Sequence, residues 1–178
     1  MPTARNTKCL SMLFLACLSL AGAATASASS NMFLKIDGIK GESVDDRHKD
    51  EIDVMSWSWG VGPRDEGKAG KRGCVQDLTL TKLVDRSSPP LVGAAALGSQ
   101  IPRAVLTVRS LGGQPQEFLV LDLSQVHVTS VQQAISAGNN QFYEQVTLKA
   151  GTIVMTYRPQ NPDGSQGTPV SSSVSGGC

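Results

Sequence analysis

The stretch 51–61, EIDVMSWSWGV, carries apolar side chains at both phases of the two-residue strand period. In one continuous strand Ile52 and Val54 point one way, while Met55, Trp57, Trp59 and Val61 point the other. A strand with one solvated face would alternate apolar with polar residues. The pattern therefore demands two covers. One face fills a barrel or sandwich, and the other meets a helix or a neighbouring subunit.

The rest of the chain supplies companions for such a strand. Short β-type segments recur with turn signals between them. They cover 32–36, 75–84 and 103–110, then 117–123 and 125–131 as two strands or one bent strand, and 142–149 with 152–158 as a hairpin around Ala150-Gly151. Segment 37–50 is a polar loop with two glycines and eight charged residues. Segment 62–73, GPRDEGKAGKRG, is a flexible charged loop. Ser88-Pro89 predicts an N-cap and a first helical position, followed by a short apolar helix over 90–97 that stops at Gly98. From Pro159 onward the chain is rich in Pro, Gly, Ser and Asn, which predicts a mobile tail. About eight short strands with one helix predict a mainly β chain, a closed antiparallel barrel or a sandwich.

Residues 1–28 have the form of a removable leader. Arg5 and Lys8 make a basic start, 9–24 carries no charge, and Ala26-Ser27-Ala28 is a small-residue cleavage signal. The apolar run is short for the ~20 residues of a spanning helix. A spanning anchor, lipidation at Cys17 and translation from Met32 are the alternatives. Cleavage leaves fourteen basic residues against fifteen acidic ones. That balance gives no reason to expect nucleic acid, or a membrane once the leader is gone, as a partner. Cleavage also leaves Cys74 and Cys178 as the remaining thiols, which an oxidising compartment can join within one chain or between two. The organisation read from the sequence is a leader over 1–28, one β domain over 29–160 and a flexible tail over 161–178.

No catalytic constellation emerges. His48 lies in the charged loop and His127 in an alternating strand, so both read as solvated or surface positions. Asp45, Asp46, Asp50 and Glu51 are interrupted by Arg47 and Lys49 and lack the spacing of a calcium loop. No serine sits on a strand-to-helix elbow, and no phosphate or dinucleotide fingerprint is present. Trp57 and Trp59 can stack on a sugar or a base, but apolar neighbours at the same phase favour core or interface burial. No cofactor is expected.

Four stretches together carry a resemblance to a known family. They are FLKIDGIKGES (33–43), EIDVMSWSWG (51–60), QDLTLTKLVDRSSPPL (76–91) continuing to IPRAVLTVR (101–109), and EQVTLKAGTIVMTYRPQNPDG (144–164). In order and spacing the chain resembles the haemolysin-coregulated protein (Hcp) family, the tube proteins of type VI secretion, over about 32–160. The resemblance implies a small closed β-barrel with one short flanking helix and no enzymatic activity. It implies a homo-oligomer, a six-membered ring that stacks head to tail into a hollow tube. A contractile sheath behind a spike would expel this tube, and small effector proteins can ride in the lumen. On that reading Asp45, Asp46, Arg47, His48, Trp57 and Trp59 are candidate subunit-contact residues; the candidate disulfide between Cys74 and Cys178 rests on the leader and not on the resemblance. Two features depart from the family. A leader would route the chain through the periplasm on its way out of the cell, and the tail ends in cysteine. The alternative is an exported stand-alone binding module that keeps the barrel and has left the tube.

Overall fold

Leu34 and Ile36 of the first strand share one interior with Ile52, Leu80, Leu106, Leu121, Leu148 and Ile153, residues drawn from nearly the whole length of the chain. The computed structural model describes residues 30–62, 74–110, 115–135 and 141–176. The leader expected over 1–28, most of the loop expected over 62–73 and Cys178 lie outside them. In chain order the elements are β1 (Ser30–Ile36), β2 (Ile52–Val54), β3 (Ser56–Ser58), β4 (Val61–Gly62), β5 (Cys74–Val75), β6 (Leu78–Leu83), α1 (Ser88–Leu97), β7 (Gln100–Ser110), β8 (Glu117–Ile135), β9 (Phe142–Tyr157) and β10 (Val170–Ser175).

The main sheet runs β2-β1-β7-β8-β9-β6-β3, with β10 added on β9. Its strand pairs are antiparallel. β2 and β3 are successive pieces of one stretch, so the sheet returns on itself as a nearly closed barrel. Helix α1 packs beside β8 and buries Leu91. The expected fold class, a mainly β antiparallel barrel with one short helix, is the one observed. The helix starts at Ser88, one residue before the expected first helical position, with Ser87 in place of Ser88 at the N-cap, and it ends at Gly98 as expected.

The two-faced strand is resolved differently from the expectation. It breaks at Met55, which leaves β1 for β6: β2 pairs with β1, and the Met55 N–H donates to the Thr81 carbonyl where β3 begins its pairing with β6. The break shifts the phase by one residue. Ile52 and Val54 are buried before it, and Trp57 and Trp59 pack against the same core after it. Both apolar phases therefore serve one interior, and only Met55 and Val61 stay largely exposed. Both tryptophans keep part of their surface exposed.

A similar shift corrects the hairpin expected at Ala150-Gly151. Residues 142–157 form one strand, bent at Gly151. Gln125 lies opposite in β8, with positive φ (54°). Its side chain fills the place where a Cβ on Gly151 would sit, 2.4 Å from Gln125 Oε1, so the glycine permits a close approach rather than a turn. The buried phase changes here in both strands, from Leu119, Leu121 and Leu123 to Val126 and Val128, and from Val146, Leu148 and Ala150 to Ile153.

The tail is also corrected. The chain turns at 161–164, is tied to the start of β8 by Gln116 and Gln166 side chains, and returns as β10 along β9. A serine-rich strand lacks an apolar alternation; backbone pairing places it, helped by Val174 against the core and by a hydrogen bond between the Ser171 and Thr156 hydroxyls.

Candidate assembly surface

The charged loop after β1 folds back onto the outside of the barrel. Phe33 alternates with core-facing Leu34, so it points outward from β1, yet it is buried. The His48 ring lies flat on it, centroids 4.2 Å apart and planes 6° apart. The Arg109 guanidinium of β7 sits 5.0 Å from the Phe33 centroid, within cation–π range. Carboxylates rim this stack. Asp45 accepts a bond from Arg109 Nη1 (3.0 Å) and a second from Nη2, and it also accepts from the backbone N–H groups of Arg47 and His48. Glu51 meets His48 Nδ1 at 2.9 Å, and Glu117 of β8 lies 3.5 Å from Nε2. The Arg109 hydrogen bond, foremost, holds the Asp45 carboxyl well below its ordinary range, at about 2, against the opposing effect of desolvation.

This arrangement redistributes the residues singled out in the sequence. His48 is 6% exposed and faces the barrel, not solvent. Its neighbours in sequence fill a fixed cluster with long-range partners, which a loop composition does not reveal. Asp45 is turned inward to Arg109. Asp46 and Arg47 are exposed. Asp50 is bonded to Lys40 and Glu51 to His48, so the acidic residues face basic partners rather than one another. Trp57 and Trp59 are half-buried against the core, and Trp59 Nε1 is buried without a hydrogen bond among the described residues. The loop thus covers the outward face of β1 at Phe33.

A second cluster lay unnoticed in the sequence. Lys82 of β6 follows Leu78 and Leu80 in the inward phase and is fully buried. Its ammonium donates to Glu144 Oε1 (2.7 Å), Asp85 Oδ1 (2.7 Å) and the Leu83 carbonyl (2.8 Å), with Ser88 Oγ at 3.2 Å. Glu144, inward on β9, also accepts from Ser88 Oγ and Gln133 Nε2. The network ties the first residue of α1 to the barrel end. The signal was a charged residue at an apolar phase in each of two strands.

Beyond the last β7 pair, Gln100 with His127, β8 and β9 continue together to Ile135 opposite Phe142. This row extends the inward-facing series Val131–Val146 and Gln133–Glu144 past the barrel end. Ile135 is 55% and Phe142 60% exposed, and Leu83 and Val84 are exposed beside them. The Val84 N–H donates to the Phe142 carbonyl at 3.0 Å, which fixes the patch. Ile135 and Phe142, partners across the two strands, with Val84 bonded beside them form a surface suited to contact with another protein, while Leu83, paired with Tyr143, lies on the opposite face.

Cys74, which opens β5, is disulfide-bonded. Cys178 lies outside the described residues.

Comparison with known proteins places this architecture. The model of a family described as "Type VI secretion system effector, Hcp" matches residues 33–157. "Protein hcp1" of Pseudomonas aeruginosa is 43% identical over 147 residues, 79% of this chain and 91% of that protein. The crystal structure of Hcp1 from Salmonella typhimurium superposes with a TM-score of 0.67 at 33% identity, covering 83% of this chain and 94% of that one. The crystal structure of a type VI secretion system effector from Yersinia pestis gives 0.66 at 30% identity, covering 81% and 98%.

Proposed function

Because the chain belongs to the Hcp family of type VI secretion proteins, a family of secreted structural proteins and not of enzymes, we propose that it is a tube subunit: a six-membered ring that stacks into the secreted tube. The observation that carries this reading is the match over 33–157, which spans the barrel from β1 to the end of β9. The exposed rim of Val84, Ile135 and Phe142 supports it, because rings that stack need a surface at a barrel end. Asp46 and Arg47, exposed on the anchored loop, are the members of the sequence-derived contact set that remain available to a neighbouring subunit. Asp45, His48, Trp57 and Trp59 act indirectly, by holding that loop and strand in place.

The proposal includes the family's partners: a spike ahead of the tube, a sheath around it and small effectors inside. It also includes removal of the leader after Ala28, so that the chain passes through an oxidising compartment. Comparing the culture medium of cells with and without a working sheath tests the role. A tube subunit leaves the cell only when the sheath contracts. Equal amounts in both media would identify an exported module outside the tube.

A further inference from the structure

β9 has two edges. β8 occupies one edge along the whole strand, from Ile135–Phe142 to Leu119–Tyr157. The other edge is shared by two strands placed end to end. β6 pairs with its first part, Leu83 with Tyr143 through Leu78 with Leu148, and β10 with its second part, Ser175 with Thr152 through Val170 with Tyr157. Both run antiparallel to β9, so both run in the same direction. The end of β10 is therefore aimed at the beginning of β6. The Gly176 N–H carries the line one residue further, donating to the Gly151 carbonyl at 3.3 Å.

The gap between them is short. Gly151 and Leu148 are three positions apart on β9, about 10 Å at strand rise. Cys178 stands two residues beyond Gly176, a reach of roughly 7 Å. Cys74 stands four residues before Leu78, where β5 pairs with β4. Cys178 follows Gly176 and Cys74 precedes Leu78 by only a few residues each, so chain length permits the Cα separation of about 4.4–6.8 Å that a disulfide needs. Cys74 is already bonded, and the other cysteines, Cys9 and Cys17, belong to the segment read as a removable leader.

We propose that the partner of Cys74 is Cys178 of the same chain, and that the bond is a clamp that holds β10 against β9. The strand has little else to hold it. Its serines and Val170 are exposed, Val174 is the β10 residue that packs on the core, and the Ser171 and Thr156 hydroxyls share one exposed hydrogen bond (2.8 Å). Ordering a strand costs roughly 1–2 kcal/mol per residue in backbone entropy, and six exposed pairings offset that poorly. Without the clamp, Thr152–Tyr157 would present an open edge to any other extended chain. The bond forms by exchange. One thiolate attacks the disulfide of a donor, small molecule or oxidase, forming a mixed disulfide and freeing one donor sulfur as thiolate; the second thiolate then displaces the other donor sulfur, so the donor is reduced by two electrons to its thiols, and the two thiol protons pass to solvent or to the donor.

The test uses the full chain recovered from an oxidising compartment, with free thiols alkylated before digestion. Trypsin should release fragment 73–82 joined to fragment 150–178, and a non-reducing gel should show the protomer position. A ladder that collapses with reductant, or both cysteines alkylated, overturns the proposal. The clamp itself is read by hydrogen exchange. Cys178→Ser, or reduction of the native chain, should raise amide exchange at 170–175 at least tenfold, leave β8 unchanged and lower Tm by roughly 5–10 °C. Unchanged protection of β10 after either treatment overturns the clamp even if the bond is found.

Discussion

Asp45 and Arg109, sixty-four residues apart, form a two-toothed carboxylate–guanidinium pair on the outer wall of the barrel. The guanidinium is buried and rests on Phe33, so the carboxylate is the group that satisfies its charge. Asp45→Asn should destabilise the fold by about 1.5–3 kcal/mol, the range for a hydrogen bond to a charged group. Because the folded-state pKa lies at about 2, below the ordinary 3.8, this stabilisation is complete above about pH 4 and is lost as pH falls toward 2. Denaturation at pH 7, 4 and 2 checks both points. The gap between the native chain and Asp45→Asn should narrow on acidification, and a gap that widens contradicts the assignment.

Lys82 and Glu144 should show the asymmetry of a buried pair. Lys82→Met alone leaves a buried carboxylate without its cation and should cost about 3–5 kcal/mol. Adding Glu144→Leu should recover part of that loss, because the unpaired charge goes with it. A double variant as unstable as the sum of the two singles would show that the pair is not coupled.

Gly41→Ala should cost about 3 kcal/mol through overpacking. A Cβ there would lie 2.3 Å from the Glu51 carbonyl oxygen and 2.6 Å from Ile52 Cα, and backbone has nowhere to move. Chemical denaturation measures it. A loss below about 1 kcal/mol would mean that the loop is not held to the start of β2 as described.

Phe142→Asp should leave the protomer's stability within about 0.5 kcal/mol, as for an exposed site, while blocking assembly. Melting curves and particle images of the same preparation separate the two effects. Normal rings and tubes in the variant would remove the rim from the contact surface.

The barrel was legible in the sequence wherever alternation was unbroken, as in β6 and β7, where Leu78, Leu80, Leu106 and Val108 hold one phase. It was misread where the phase changes inside a strand. Met55, Gln125 and Gly151 each bend the sheet, and a bend moves the buried set to the other parity. Apolar residues on both parities then look like two buried faces or two strands. β10 was missed because backbone pairing has no side-chain signature. His48 was misplaced because stacking on Phe33 and contact with Glu117 join residues far apart in sequence. Lys82 and Glu144 could have been found, since each is a charge standing in an apolar row.

The central claim is the ring, and native mass spectrometry or light scattering on the mature chain, at micromolar concentration and near-physiological salt, tests it most directly. The account predicts a species of about six protomer masses, unchanged by reductant on the proposal that the disulfide lies within each chain. A protein that remains a single protomer under those conditions contradicts it.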